Sequence, residues 1–202
     1  MKIAAVALIA LAAQAAPAEN RAVKPWGPID NPRVHVWLDD GSTPSRDISA
    51  VAVVRISEAD GRTSYSTDSS ASATPQSTQS AAANSSPTIE IDVKQTRVAP
   101  VPDTSGYPLA FPRPGVKKVL ESDRVIVWDY TWTAGQPTPM HFHDKDVVVV
   151  YLADGALRST DPDGAAVVNT HYYGFTKFNA RNRVHTEELV RGNARAIIVE
   201  LK

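Results

Sequence analysis

The run Gly135-Gln-Pro-Thr-Pro-Met-His141-Phe-His143-Asp-Lys-Asp-Val147-Val-Val-Val-Tyr-Leu152-Ala-Asp-Gly155 decides how this chain is read. Two histidines, one residue apart, precede a valine-rich run that closes on a glycine. On an extended strand, side chains two positions apart leave the backbone on the same face. His141 and His143 can therefore reach one ion. The chain has no cysteine, so a metal here must be held by histidine and carboxylate rather than thiolate. His185, on a separate segment, can close the triangle. Neutral imidazole suits Fe, Mn, Ni, Cu and Zn alike, so the residue types imply a divalent metal without choosing it.

Working outward, the stretch before this run also alternates as a strand does. Val125, Val127 and Asp129 fall on one face, and Trp128, Tyr130 and Trp132 on the other. The 202 residues include 15 prolines and 10 glycines among valine-rich runs, which favours many short strands over long helices. The 21 basic and 22 acidic residues nearly cancel, so no electrostatic footprint for nucleic acid exists. Neither a serine-nucleophile motif nor a glycine-rich phosphate loop is present. At the N-terminus, Lys2, the apolar stretch Ile3 to Leu11 and the small residues after it read as a signal peptide over 1–18. Ala13-Gln-Ala15 and Ala16-Pro-Ala18 are candidate cleavage sites. An exported, periplasmic or secreted protein is expected, without a membrane span once the signal is removed.

The chain also repeats itself. Arg33-Val-His-Val-Trp37 matches Arg124-Val-Ile-Val-Trp128. Val53-Val-Arg-Ile56 resembles Val149-Val-Tyr-Leu152, and Ile89-Glu-Ile-Asp-Val-Lys94 resembles Ile197-Ile-Val-Glu-Leu-Lys202. The spacing between copies grows along the chain, so the first copy (19–98) lacks loop material that the second (115–202) keeps. Residues 64–88 are Ser/Ala/Thr-rich and are expected to form a loop, because they offer almost nothing apolar to bury. Residues 99–114 hold five prolines and are expected to be an extended linker.

Residues 115–202 resemble the cupin superfamily. Gly135, His141, His143 and Gly155 fall on the positions of its first motif, and Gly174 and His185 on those of its second. Ala180 stands where the second motif has proline, and Asn182 where it has glycine. The resemblance implies an all-β fold: a cupin-type double-stranded β-helix, or jelly-roll barrel. Taken with the internal repeat, it implies two barrels, a bicupin with a degenerate N-terminal half. Its usual glutamate ligand falls at Val148, which is expected to face the pocket with the ligand positions left open. Asp146, or Asp144, is a candidate substitute. Three neutral ligands leave a metal its full charge, which favours a small, anionic, chelating molecule as substrate or ligand. Within the superfamily, such sites are similar to those of metal-dependent dioxygenases. A non-catalytic binding protein or a structural protein with a relic site fits the same residues, and a homodimer is compatible with the fold.

Of the remaining candidates, His35 reads as structural and His171 as a residue beside the pocket. Glu187 and Glu188 read as acceptors that could orient His185. Trp128, Tyr130 and Trp132 read as core or pocket wall.

Overall fold

The computed structural model describes residues 29–39, 50–59, 62–69 and 88–202. The signal peptide expected over 1–18 lies outside them. Among the described residues every regular element is a strand. The N-terminal half supplies β1 (Ile29–Asp30), β2 (Val34–Asp39), β3 (Ala52–Ala59), β4 (Arg62–Ser69) and β5 (Thr88–Val93). They form one antiparallel sheet in the order β1-β2-β5-β3-β4.

Residues 117–201 carry nine more strands: β6 (Lys117–Glu121), β7 (Val125–Trp132), β8 (His141–His143), β9 (Val147–Tyr151), β10 (Gly155–Thr160), β11 (Ala166–His171), β12 (Thr176–Asn179), β13 (Arg183–Gly192) and β14 (Ala194–Leu201). They divide into a five-stranded sheet, β12-β9-β14-β7-β6, and a four-stranded sheet, β11-β10-β13-β8. Between these two sheets lies an aromatic core built on Phe111, Trp128, Tyr130, Trp132, Tyr151 and Leu157. This is the expected jelly-roll barrel.

The middle strands β9 and β14 of the barrel's five-stranded sheet are buried on both faces. Val147, Val149 and Tyr151 of β9 face the aromatic core. Val148, Val150 and Leu152 face a second core shared with Val34, Val36, Val54, Ile56, Ile89 and Ile91 of the N-terminal sheet. The alternation read in β7 works the same way: Val125 and Val127 join the second core, Trp128, Tyr130 and Trp132 the first. Each aliphatic side chain so buried contributes roughly 1.5–3 kcal/mol. The N-terminal sheet is thus a structural layer of the fold.

The repeated segments occupy matching places. In one sheet β5 lies between β2 and β3, and in the other β14 lies between β7 and β9. Val34 pairs with Val93 as Val125 pairs with Leu201. The Trp37 indole N–H donates to Asp92 at 3.1 Å, and the Trp128 indole N–H donates to Glu200 at 2.8 Å. Asn31 Oδ1 accepts from the Arg33 and Val34 amides, and Ser122 Oγ from those of Arg124 and Val125. The alignment of β3 read from the sequence needs a shift, however. Val53 pairs with Asp92, and Val147, not Val149, pairs with Glu200. Runs of valine look alike at any offset, so only hydrogen-bond register fixes the match.

The loop expected over 64–88 begins later than composition suggested. Arg62–Ser69 pairs along its whole length with β3. An edge strand needs backbone pairing and one anchored side chain more than a hydrophobic face. Here Tyr65 packs against the second core and donates its hydroxyl hydrogen to Asp129 at 2.9 Å. Residues 70–87 lie outside the described residues.

One buried ion pair ties the two halves. Arg33 Nη1 lies 2.7 Å from Asp146 Oδ2, with the side chains 8% and 9% exposed. Removing one partner strands a buried charge. Arg33→Met should therefore lower unfolding free energy by about 3–5 kcal/mol in urea denaturation. Arg33→Met combined with Asp146→Leu should recover most of that loss. A single-mutant effect below about 1 kcal/mol, the scale of a solvent-exposed pair, would show that this pair does not join the halves.

Candidate metal centre

β8 and β13 are antiparallel neighbours, with His185 opposite His141 and Arg183 opposite His143. The pleat places His143 on the face of His141, so all three imidazoles converge at the barrel interior. His141, His143 and His185 are 2%, 8% and 3% exposed, and their ring nitrogens lie within 4.8 Å of one another. His143 Nε2 and His185 Nε2 are 3.1 Å apart. Two nitrogens bound to one ion at about 2.0–2.1 Å, near a right angle, are about 3 Å apart. The pair has ligand spacing.

Neighbouring groups fix the ring orientations. His141 Nδ1–H donates to the Pro139 carbonyl at 2.8 Å, which leaves Nε2 with its lone pair. The Ser159 hydroxyl, from β10, is 2.8 Å from His185 Nδ1, and Arg183 Nη2 is 3.3 Å from the same atom. His143 Nδ1 is buried without a partner. Phe111 meets the His143 ring edge-on at 6.0 Å and stacks on Trp128 at 5.2 Å.

Burial, reinforced by the Arg113 charge, lowers the His141 pKa to about 4. Burial, with His141 and Arg183 beside it, lowers that of His185 to about 2. His143 is held well below the usual histidine range, first by burial and then by its two histidine neighbours. All three rings are therefore neutral at pH 7. No proton has to leave for them to bind a cation. The donor set fits a divalent ion.

The candidate substitutes do not join them. Asp146 spends one oxygen on Arg33 and the other on the Arg181 amide at 2.9 Å. Asp144 pairs with Lys145 at 2.7 Å. Val148 belongs to the core under the N-terminal sheet, which overturns the expectation that it faces the pocket. Counting along the motif locates a position, but the pleat decides its direction. Val147, Val149 and Tyr151 are the residues of β9 that face inward, so no carboxylate replaces the missing one from that strand.

His35 lies on β2, 3.6 Å from Asp92, away from the cluster. His171 stacks on Tyr151 at 4.2 Å and donates from Nε2 to the Asn193 carbonyl at 3.1 Å. Glu187 does not orient His185. It accepts from the Trp132 indole at 3.2 Å and faces Arg113 at 4.0 Å. Glu188 pairs with Arg158 at the surface. No motif marked Ser159, or Arg113, which sits between two prolines in the expected linker. That segment holds no strand, bending at 105–107 and 110–112, and it runs alongside β8. The Ala110 amide donates to the Phe142 carbonyl, and the Phe142 amide to that of Pro108, at 2.8 and 2.9 Å.

Both motif ends have backbone reasons. A Cβ on Gly155 would meet the Asn193 carbonyl oxygen at 2.2 Å, so only glycine fits there. Asn182, where the second motif has glycine, adopts φ 64°, a left-handed conformation that asparagine tolerates better than most residues. Strand order, convergent histidines and both motif turns now stand together. The barrel has the double-stranded β-helix fold expected from the sequence.

Comparisons with solved structures give cupins at low similarity. A cupin domain from Bordetella pertussis Tohama I is 24% identical, with a TM-score of 0.40, covering 45% of this chain and 97% of that one. An RmlC-like cupin with a double-stranded β-helix fold from Methanocaldococcus jannaschii is 13% identical, with a TM-score of 0.37, covering 53% and 91%. The polyketide cyclase RemF from Streptomyces resistomycificus is 19% identical, with a TM-score of 0.37, covering 52% and 78%. No family model and no curated protein matches the chain.

The depressed histidine pKa values make the metal-free protein sensitive to acid. Below pH 6.5 the unfolded chain takes up protons that the folded site refuses, so stability falls as pH falls. The slope is about 1.4 kcal/mol per pH unit for each such histidine. For His141 it persists to about pH 4. Urea denaturation of metal-free protein between pH 7 and 5 should show this loss, and His185→Gln should make it shallower. An unchanged slope in the variant would contradict a neutral, buried His185.

Proposed function

We propose that this chain is an exported cupin protein that holds one divalent metal ion on His141, His143 and His185. It uses that ion, in an oxygenase-type reaction, on a small anionic molecule. The observation that carries this reading is the 3.1 Å approach of His143 Nε2 and His185 Nε2, with His141 beside them and all three rings kept neutral. When bound, the ion supplies a Lewis acid with positions left for substrate. The protein's own residues hold the rings in place through Pro139 and Ser159 and surround them with apolar and aromatic walls. With no carboxylate among the ligands, the ion's positive charge is not offset, which favours an anionic substrate.

The matched registers of β2-β5-β3 and β7-β14-β9 support reading the N-terminal half as a degenerate cupin that has kept its sheet as scaffold. Export rests on Lys2, the apolar stretch after it and the Ala-x-Ala sites.

Protein recovered from its extracytoplasmic fraction should begin near Ala16 or Glu19 and carry one transition-metal ion per chain by elemental analysis. His143→Ala should reduce metal to background with the fold retained by circular dichroism. His35→Ala and His171→Ala should keep it. Metal content unchanged by His143→Ala would overturn the assignment.

A further inference from the structure

His185 Nδ1 is met by two groups of different hydrogen-bonding character. The Ser159 hydroxyl oxygen lies 2.8 Å from it and Arg183 Nη2 3.3 Å. Both contacts follow from the strands. Arg183 precedes His185 by two on β13, so it shares the inward face and sits opposite His143 of β8. Ser159 follows Leu157 of the aromatic core by two on β10 and is therefore inward too. Since β10 pairs with β13, its hydroxyl reaches the same ring. A serine hydroxyl can donate or accept, whereas a guanidinium can only donate.

A neutral imidazole carries a single N–H, so one ring nitrogen is a donor and the other an acceptor. His143 Nε2 and His185 Nε2 are 3.1 Å apart, within hydrogen-bond range. Two facing lone pairs would repel, so a hydrogen lies between them in the metal-free protein, and one ring carries its N–H on Nε2. An ion shared by these two nitrogens needs both lone pairs. Both rings then carry their hydrogen on Nδ1. The proton count is unchanged, and one ring has changed tautomer. In that arrangement His143 Nδ1–H is buried without an acceptor. His185 Nδ1–H has one in Ser159 Oγ, but it also faces the Arg183 donor. The Arg183 charge acts on all three rings, and so opposes a cation held among them.

We propose that Ser159 and Arg183 are opposed positioning residues for the metal: the Ser159 hydroxyl accepts the His185 Nδ1–H that binding through Nε2 demands, while the Arg183 guanidinium disfavours that tautomer and repels the ion. This role rests on the metal reading proposed above and sets how tightly the site holds its ion. Neither residue has to touch the ion to do so.

Zn(II) is a suitable probe, since it is diamagnetic and leaves the imidazole resonances visible. Its affinity is measured by competition with a chromophoric chelator, and the His185 tautomer by long-range 1H–15N correlation spectra with and without the ion. Ser159→Ala should weaken Zn(II) about 10–100-fold and, in the metal-free protein, shift His185 toward the Nε2–H form. Ser159→Thr, which restores a hydroxyl, should recover most of the affinity. Arg183→Met should act the other way, tightening Zn(II) about fivefold or more and shifting His185 toward Nδ1–H. Loss of packing alone would weaken Zn(II) in both variants and leave the tautomer where it was, which overturns the proposal. Wild type that takes up no Zn(II) overturns the metal reading and this role together. If wild type binds Zn(II) and Ser159→Ala binds it within about twofold of wild type, the role of Ser159 is overturned and the metal reading stands.

Discussion

The sheet β12-β9-β14-β7-β6 has no solvated face along its middle strands, and much of the rest of the structure follows from that. Each of β7, β9 and β14 must serve two cores at once, one residue up and the next down. Val148 and Val150 close the layer against the N-terminal sheet, while Val147, Val149 and Tyr151 line the barrel. A one-residue slip would exchange the two sets, driving aliphatic side chains into the aromatic core and tryptophans into a layer built for valine. Register is therefore fixed from both sides. The same constraint leaves β9 without a charged side chain to offer the metal centre, because every residue of that strand is buried in an apolar layer.

The centre itself is an electrostatic compromise. Three imidazoles are placed where burial and nearby arginines disfavour their protonated forms. This makes the apo site vulnerable to acid and the neutral ligand set ready for a cation. The cations around it do more than suppress protonation. Arg113 presses its guanidinium on an aromatic and imidazole surface with a single distant acid for company. Glu187 moderates this excess. Burial pushes its pKa upward against the pull of Arg113.

Much of this was legible in the sequence where period-two logic applied. His141 and His143 share a face because they are two apart, and the split of Val125 and Val127 from Trp128, Tyr130 and Trp132 followed the same rule. The three matched segments lie on strands in matching sheet positions, anchored by the repeated tryptophan–carboxylate bond. The failures also have physical reasons. Val148 was placed by counting along a motif, which cannot tell which way a pleat faces. The β3 alignment slipped by two because consecutive valines carry no register information. Arg62–Ser69 looked like loop because composition does not see backbone pairing at a sheet edge. Arg113 gave no signal at all. Its importance comes from a tertiary path that lays a proline-rich segment along β8, and nothing local in Phe111-Pro-Arg-Pro114 announces it.

The central claim is that three neutral histidines share one ion inside this barrel. It is tested most directly by anomalous X-ray diffraction from crystals of protein purified without added metal, with data collected on both sides of the candidate absorption edges. The account predicts a single strong anomalous peak in the barrel, about 2.0–2.1 Å from a ring nitrogen of each of His141, His143 and His185. Ordered density for all three rings with no anomalous scatterer between them, in crystals subsequently soaked with Co(II), Mn(II) and Zn(II) in turn, would contradict it.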